Sequence, residues 1–368
     1  MYQSLHDEDF SEHHGVSIMN KQGHDHWQAI TASGPDDFKF LRKAWFDGSG
    51  MYFNDDQQDY VATTYGYIGN NESGYAILPY GFKKRGPFKF AMLAGEFFPR
   101  RGIPHSSIND DLVKKTADYL SAIKDVCGFR FGPVIKDDPF IDEVVKTLDK
   151  KGWRFVNSIV GQDFGMAVPK SFDDYHAELS VKRQKKIAYY RRRLEATGTV
   201  LIKKHSDLTV KEWKNIFAEL EKVESKAWVA NEGDPHFIGP NQQLFWVSLV
   251  GDDWFKKAIN VWMLYLDSEP VSYLVSLDTG TERYILATAY DEAVAKYSTG
   301  HRLQLEMLKS TIDEGEISYI NNGLGNSGYK DAWGAEKYIK LADIVAFPPT
   351  LRGKIAYIAA KLMNRFAK

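Results

Sequence analysis

The segment Tyr284–Asp291 has the sequence YILATAYD, and after five intervening residues the segment Tyr297–Arg302 has the sequence YSTGHR. The first segment is apolar and predicts a β-strand. The second is a loop with a small turn residue. An amphipathic helix is predicted to follow, with a buried face formed by Leu303, Met307, Leu308 and Ile312. The two segments therefore predict a strand–loop–helix unit.

The first turn of this predicted helix is a candidate anion site. Its backbone N–H groups lack partners within the helix, and the positive end of the helix dipole lies at the same place. Such a site suits a pyrophosphate, for example that of coenzyme A, to which His301 and Arg302 would add donors. The same pattern also fits an ordinary junction between a strand and a helix.

Strand and helix signals of the same kind run through both halves of the chain. In the second half we predict strands at Ala258–Leu266, Val271–Leu277 and Glu282–Tyr290. The first half has a similar length and a similar order of helices and strands. The pattern predicts a mixed α/β fold of two related units, in which two central mixed sheets are flanked by helices.

Domain boundaries and several individual elements follow from the same patterns. The predicted divisions are a disordered tail at 1–28, a first domain at 29–170, a second at 171–350 and a basic amphipathic helix at 351–368. Three elements are specific enough to compare with a structure: a helix that starts at Asp36 and buries Phe38, Leu41 and Trp45, a strand at Phe129–Ile135, and one long basic helix at Asp174–Thr197.

Composition limits the classes of function. The 368 residues carry a formal net charge of −2, so we expect no DNA partner. The single cysteine, Cys127, fits a reducing compartment, and neither a signal peptide nor a membrane-spanning apolar run is apparent, so we expect a cytoplasmic protein. The histidines of the first 26 residues match no zinc-site spacing, and we expect no metal.

Two further motifs carry possible chemistry. Gly323, Gly325 and Gly328 spell G-x-G-x-x-G, but too little chain follows for a dinucleotide-binding sheet, so we interpret them as shaping a ligand loop. The run Lys182–Arg193 is rich in cations. It could bind a phosphate-bearing acceptor or the nucleotide end of coenzyme A, or it could be a solvated helix face.

Residues 180–330 resemble the GNAT-like acetyltransferases associated with cellulose and exopolysaccharide synthesis. The resemblance rests on spaced motifs: Ser180 with Lys182, Arg183, Arg191 and Arg192; Trp228; Tyr284 with Ala289-Tyr290-Asp291; Tyr297-Ser298-Thr299-Gly300; and Gly325 with Tyr329, Lys330 and Trp333. Thr299 stands where the family usually has Pro, and Asn321 stands where it often has Asp. The general GNAT phosphate signature is incomplete, which leaves a different acyl donor open.

The resemblance implies a tandem GNAT architecture similar to that of the Fem-like transferases, with acetyl-CoA or another acyl-CoA as donor and an amine as acceptor. It implies donor-binding residues Tyr297, Ser298, Thr299, Gly300, His301 and Arg302. For direct acyl transfer we expect Asp291, or as second choice Glu224, to act as base and Tyr329 to protonate the leaving thiolate. The expected acceptor-binding residues are Trp228, Tyr290, Lys330, Arg183 and Trp333.

Two alternatives from other classes remain open at this point. One is a Fem-like transferase that uses aminoacyl-tRNA and binds the RNA along Lys182–Arg193. The other is a non-catalytic scaffold of a polysaccharide synthesis system. The C-terminal segment Leu351–Lys368 is basic and amphipathic, with Ile355, Ile358 and Leu362 on the same face as Phe366. It could lie on an anionic membrane surface or dock on its own domain.

Overall fold

The computed structural model describes residues 27–31, 39–52, 64–95, 100–232, 235–325, 330 and 333–366. Most of the predicted tail and the start of the helix predicted at Asp36 lie outside these ranges. Trp27 lies within the segment predicted as a disordered tail, and for this residue the prediction is wrong. Its side chain is buried, and its Nε1 donates to the carbonyl oxygen of Leu41 at 2.8 Å.

The chain forms two compact units. One comprises Met1–Gly161 together with Lys340–Lys368, and the other comprises Gln162–Ile339. The division falls within two strands, β6 (Arg154–Ala167) and β12 (Glu336–Phe347), which each run from one unit into the other. The second unit spans Gln162–Ile339 where the prediction placed a domain at 171–350, because β12 from Lys340 onward belongs to the first unit.

The first unit is a mixed α/β structure. Its strands follow the order β1-β2-β3-β4-β12, with β5 also paired to β12; β3 and β4 are parallel and the other pairs are antiparallel. Its elements are α1 (27–31), α2 (Lys43–Tyr52), β1 (Thr64–Asn70), β2 (Gly74–Arg85), β3 (Phe88–Leu93), α3 (Asp110–Ala122), β4 (Gly128–Arg130), β5 (Val134–Ile135), α4 (Pro139–Lys150) and α12 (Leu351–Phe366). The apolar faces of α3 and α4 pack on the strands and form the core.

The second unit is also mixed α/β. Its strands follow the order β6-β11-β10-β9-β8-β7, in which only the β10–β11 pair is parallel among the described residues. Its elements are α5 (Phe172–Glu178), α6 (Val181–Glu195), β7 (Val200–Ser206), α7 (Val210–Glu224), α8 (Trp228–Glu232), α9 (Pro240–Val250), α10 (Asp253–Ala258), β8 (Ile259–Leu266), β9 (Glu269–Thr279), β10 (Glu282–Tyr290), a 3₁₀ helix (Glu292–Tyr297), α11 (Thr299–Glu314) and β11 (Tyr319–Leu324).

Three predicted elements differ from the structure. Helix α2 begins at Lys43 rather than Asp36. The strand predicted at Phe129–Ile135 is two short strands, because the Gly132–Pro133 step lies between them and proline cannot donate to a ladder. The long basic helix is broken, because Leu179 is extended and the Ser180 hydroxyl caps a new helix by accepting from the Arg183 amide.

None of the helices within the described ranges has the length and apolarity that a bilayer crossing requires.

A buried arginine fixes α11 against the sheet of the second unit. Arg283 on β10 has no solvent exposure, and its guanidinium donates to both carboxylate oxygens of Asp278, at 2.8 and 2.7 Å. It also bonds the Thr311 hydroxyl and, at 3.1 Å, the carboxylate of Glu314, both near the end of α11. Because bidentate arginine pairs are geometrically specific, this network sets the position of α11 along β10.

Replacing Arg283 with Met should lower the free energy of unfolding by about 3 kcal/mol, because two carboxylates lose a buried partner. Lys222→Met is the matched control. It breaks an ion pair with Glu269 that is exposed on both sides, and should change that free energy by less than about 1 kcal/mol. Urea denaturation of the full chain measures both. Equal losses for the two variants would contradict the role given to Arg283.

Candidate functional site

The two parallel strands of the second unit separate soon after they begin. β10 and β11 pair only at Glu282–Tyr319, Arg283–Ile320 and Tyr284–Asn321. Beyond Tyr284, β10 continues to Tyr290 without pairing to the described residues of β11, while it stays paired to β9. The β9–β10 register shifts between Ile285 and Ala287, and such a bulge bends a strand locally. We call the region between the two strands beyond their last pair, Tyr284–Asn321, the gap.

The chain leaves β10 through a tight capped turn into α11. Asp291 caps the 3₁₀ helix by accepting from the Ala293 amide at 2.9 Å. Ser298 then adopts the left-handed conformation, with φ of 59°, and provides no side-chain cap for α11. The free N–H groups of the first turn of α11 are therefore not occupied by the side chain of Ser298.

Gly300 allows a close approach between the end of β10 and the start of α11. A Cβ atom at this position would lie 3.1 Å from Cδ1 of Tyr290, closer than ordinary van der Waals contact. The half-buried Tyr290 ring therefore lies against the first turn of α11. Tyr290, a predicted acceptor-binding residue, and Gly300, a predicted donor-binding residue, are thus direct neighbours.

A cavity of about 440 Å³ lies between α6 and the start of α11. Its lining carries three cations and is formed by Ser180, Lys182, Arg183, Lys186, Ile187, Tyr190, Ser298 and His301. The buried Nε of Arg183 has no hydrogen-bond partner among the described residues. A positive cavity with unused donors beside a helix N-terminus is suited to phosphate groups.

Three of the predicted site residues stack on one side of this cavity. The His301 ring lies 4.3 Å from the Trp333 ring, and the Arg183 guanidinium lies 5.8 Å from the same indole. Burial, with further contributions from Arg183 and Lys186, lowers the pKa of His301 to about 4. At neutral pH the imidazole is therefore uncharged and can donate one hydrogen bond and accept another.

The remaining predicted donor residues have other surroundings. Thr299 is fully buried, and within the described ranges its hydroxyl makes no hydrogen bond. The Tyr297 ring lies under Arg193, at 5.4 Å from the guanidinium carbon. Arg302 forms an ion pair with Glu306 at 3.3 Å. Ser298 and His301 are thus the predicted donor side chains that line the cavity.

Asp291 lies at the open end of the gap. It is 8% exposed and forms an ion pair with Lys226 at 3.3 Å, while the Glu292 amide donates to the Lys226 carbonyl oxygen at 3.2 Å. These bonds hold the junction between α7 and α8 against the end of β10. Trp228, two residues after Lys226, is 42% exposed. The structure therefore brings the candidate base and one candidate acceptor residue into one neighbourhood.

Glu224, the second candidate base, has a structural environment. It is fully buried and accepts from the backbone amides of His236 and Phe237, at 3.0 and 2.6 Å, and from the Tyr273 hydroxyl at 2.7 Å. Burial and the charge of Glu224 raise the pKa of Tyr273 well above its ordinary value. With its oxygens engaged and no solvent access, Glu224 anchors the 235–237 segment and lacks the access that a general base needs.

Lys330 is buried and holds the end of β11. Its ammonium donates to the carbonyl oxygens of Gly323 and Leu324, at 2.9 and 2.8 Å. Burial lowers its pKa to about 8, and nearby Asp163 partly opposes that shift. This bonding makes Lys330 a support for the end of β11, rather than a free group for an acceptor. Tyr329, the candidate acid, lies outside the described residues.

Only some of the cations of α6 line the cavity, a distinction that the prediction for the run Lys182–Arg193 did not make. The separating signal was present, because Lys182, Lys186 and Tyr190 are four residues apart and so share one helical face. Arg191 and Arg192 are exposed and do not line the cavity. Tyr190 is half-buried and lines the cavity wall.

Residues 181–331 match a family model described as an acetyltransferase (GNAT) domain. No curated protein matches the chain in sequence. The matched region includes α6, the β10–α11 junction and the end of β11. The match supports an acyltransferase and agrees with the resemblance to GNAT enzymes, whereas nothing in it concerns cellulose or exopolysaccharide.

Solved structures show the same fold at low identity. The chain is similar to FemX, with a TM-score of 0.55 at 12% identity over 88% of this chain and 95% of that one. It is also similar to a conserved protein of unknown function from Bacteroides thetaiotaomicron, with a TM-score of 0.51, 14% identity and coverage of 88% and 97%. A third similar structure is the C-terminal domain of a putative lysylphosphatidylglycerol synthetase from Agrobacterium fabrum. Its TM-score is 0.50 at 12% identity, over 92% of this chain and 95% of that one. The predicted GNAT-like mixed α/β fold is confirmed.

The positive charge of the cavity should be measurable through its effect on the pKa of His301. Arg183→Gln removes a neighbouring positive charge, so the pKa of His301 should rise from about 4 toward its ordinary value. Arg192→Gln, on the same helix but outside the cavity lining, should leave it unchanged. NMR titration of the imidazole resonance, identified by its loss in His301→Gln, gives the value. An unmodified His301 that titrates near 6.5 would contradict the described burial.

Proposed function

We propose that the second unit is an acyl-CoA-dependent N-acyltransferase, with acetyl-CoA as the simplest donor. The observation that carries the proposal is the gap between β10 and β11, which opens beside the start of α11 and its cationic cavity. A thioester donor needs both features: a slot for its extended arm and an anion site for its phosphates. The match of residues 181–331 to an acetyltransferase (GNAT) domain supports the same reading.

The donor would bind with its pyrophosphate at the first turn of α11. The backbone amides there and the side chains of Lys182, Arg183 and Lys186 supply donors and positive charge. His301 is neutral and adds a hydrogen bond without a further charge. The pantetheine arm would run along the edge of β10 between Ile285 and Tyr290, where backbone groups facing the gap can bond an extended chain.

In the reaction, the amine nitrogen attacks the thioester carbonyl carbon, a C–N bond forms and the C–S bond breaks. Asp291 takes the amine proton, directly or through a water molecule, at the open end of the gap. Backbone N–H groups along β10 stabilise the oxyanion of the tetrahedral intermediate. Tyr329 returns a proton to the leaving thiolate, whose pKa is close enough to that of a phenol for transfer.

The acceptor would approach from the side of Trp228 and Tyr290, which offer aromatic surface near Asp291. An amino sugar or a polysaccharide precursor fits this surface, because an aromatic face covers the apolar side of a sugar ring while its polar groups stay solvated. The resemblance to acetyltransferases of polysaccharide synthesis favours the same acceptor class. The lone Cys127 favours action in a reducing compartment, the cytoplasm.

A Fem-like transferase that uses aminoacyl-tRNA is the second candidate function. The observations that favour it are the likeness to FemX and the exposed cations of α6 outside the cavity, Arg191, Arg192 and Arg193. A tRNA shift assay at physiological salt distinguishes the two candidates. Binding of tRNA that is lost in a triple Ala variant of these arginines, without binding of acyl-CoA, would replace the first proposal by the second.

Titration calorimetry with acetyl-CoA tests the donor site. Arg183→Ala and Lys186→Ala should each raise Kd about tenfold, because each removes a charge-assisted contact to phosphate worth about 1.4 kcal/mol. Arg192→Ala is the matched control and should leave Kd unchanged. If no acyl-CoA from acetyl to long chain binds, the donor proposal fails and a non-catalytic scaffold becomes the better interpretation.

Turnover tests the catalytic roles. Asp291→Asn should retain the fold, since Asn caps helices as well as Asp does, and Tyr329→Phe removes only a hydroxyl. Each should lower kcat by about 10²- to 10⁴-fold, the usual contribution of acid–base catalysis. Release of free thiol from acetyl-CoA in the presence of glucosamine and related amines gives the rate. Unchanged rates in both variants would remove these residues from the mechanism.

A further inference from the structure

The C-terminal helix α12 exposes an apolar stripe. Leu351, Ile355, Ile358 and Leu362 are 75%, 50%, 59% and 50% exposed. They are spaced by four, three and four residues, so they form one continuous line along the helix, about 17 Å long at 1.5 Å per residue. The sequence predicted this shared face, together with Phe366, whose side chain lies outside the described residues.

The helix docks on the first unit through its opposite face. Ala356 is 2% exposed and packs with Phe347 and Cys127, while Tyr357 and Ala360 contact the same cluster. A Cβ atom on Gly353 would lie 2.2 Å from the carbonyl oxygen of Pro348, so the helix backbone lies directly on the chain before it. These contacts prevent α12 from rolling to bury its apolar stripe. Docking and exposure of the stripe therefore occur together.

Cations flank the stripe on both sides. Lys354 and Lys361 are seven residues apart and lie along one flank, and Arg352 lies on the other; all three are exposed. No acidic residue follows Asp343 in the sequence. Long basic side chains can keep their charged ends in water while their stems cover apolar surface. The face thus combines an apolar centre with positive borders.

We infer that this face of α12, the stripe Leu351–Leu362 with its flanking cations, docks on the surface of an anionic lipid bilayer. The charge pattern selects this occupant. A second copy of the helix would bring like charges together on both flanks with no acidic partners. Nucleic acid would satisfy the cations and leave the apolar centre in contact with phosphates. An anionic bilayer supplies acyl chains for the centre and headgroup charge for the borders.

The expected binding is peripheral and reversible, because one short helix carries the contact. It is independent of the proposed transferase chemistry, since none of its residues belongs to the candidate site. Loss of membrane binding would therefore leave acetyl-CoA binding unchanged, and the two proposals can fail separately.

Co-sedimentation of the full chain with vesicles tests the inference. The protein should bind vesicles that contain 30% phosphatidylglycerol in phosphatidylcholine, and bind pure phosphatidylcholine at least tenfold more weakly. The double variants Ile355→Gln with Ile358→Gln, and Lys354→Glu with Lys361→Glu, should each lower the partition coefficient at least tenfold. Their unfolding midpoints should not change, because all four side chains are exposed.

Two controls are matched to these variants on the same unit. Ile108→Gln replaces an isoleucine that is 48% exposed away from α12, and Lys114→Glu with Lys150→Glu reverses two exposed charges on other helices. Neither should alter vesicle binding. Absence of binding, equal binding to both vesicle types, or equal losses in variants and controls would overturn the inference. So would a dimer in solution that the α12 variants abolish while vesicle binding persists.

Discussion

The candidate site depends on the limited pairing of two parallel strands. β10 and β11 share three residue pairs and then separate, and everything proposed for the second unit lies around that separation. A sheet normally satisfies its backbone groups by continuous pairing, so an edge left open inside a sheet has to be held open by other elements. On one side β10 stays bonded to β9, and on the other β11 stays bonded to β6. The gap is therefore a product of the architecture.

Two interactions at opposite ends of α11 hold the helix that borders this gap. At its C-terminal end Arg283 binds Thr311 and Glu314 from within β10. At its N-terminal end Gly300 admits the Tyr290 ring against the first turn. With both ends tied to the same strand, the direction of the helix dipole relative to the gap is fixed. A rigid support of this kind is what a precise anion site requires.

Sequence patterns predicted the strand–loop–helix unit at Tyr284–Arg302 well, because apolar periodicity and turn residues are local signals. The strands predicted at Ala258–Leu266, Val271–Leu277 and Glu282–Tyr290 likewise agree with β8, β9 and β10 within a few residues. Sequence patterns missed the break at Leu179–Ser180, because neither residue is a strong helix breaker such as Pro or Gly. The burial of Glu224 could not be read from sequence, because its donors come from the distant residues His236, Phe237 and Tyr273. Side chains that face a cavity and side chains that face solvent can look alike in a charge run.

The passage of β12 back into the first unit has a consequence for biosynthesis. β4 and β5 pair with a strand that is made some two hundred residues later, after the whole of the second unit. During translation the second unit can fold as soon as its own strands have emerged, whereas the first has to wait with an unfilled position beside β4. An exposed strand edge of this kind attracts other chains. A ribosome that stalls before Lys340 would therefore leave a nascent chain in which the first unit, although most of it is synthesised earlier, is less completely folded than the second.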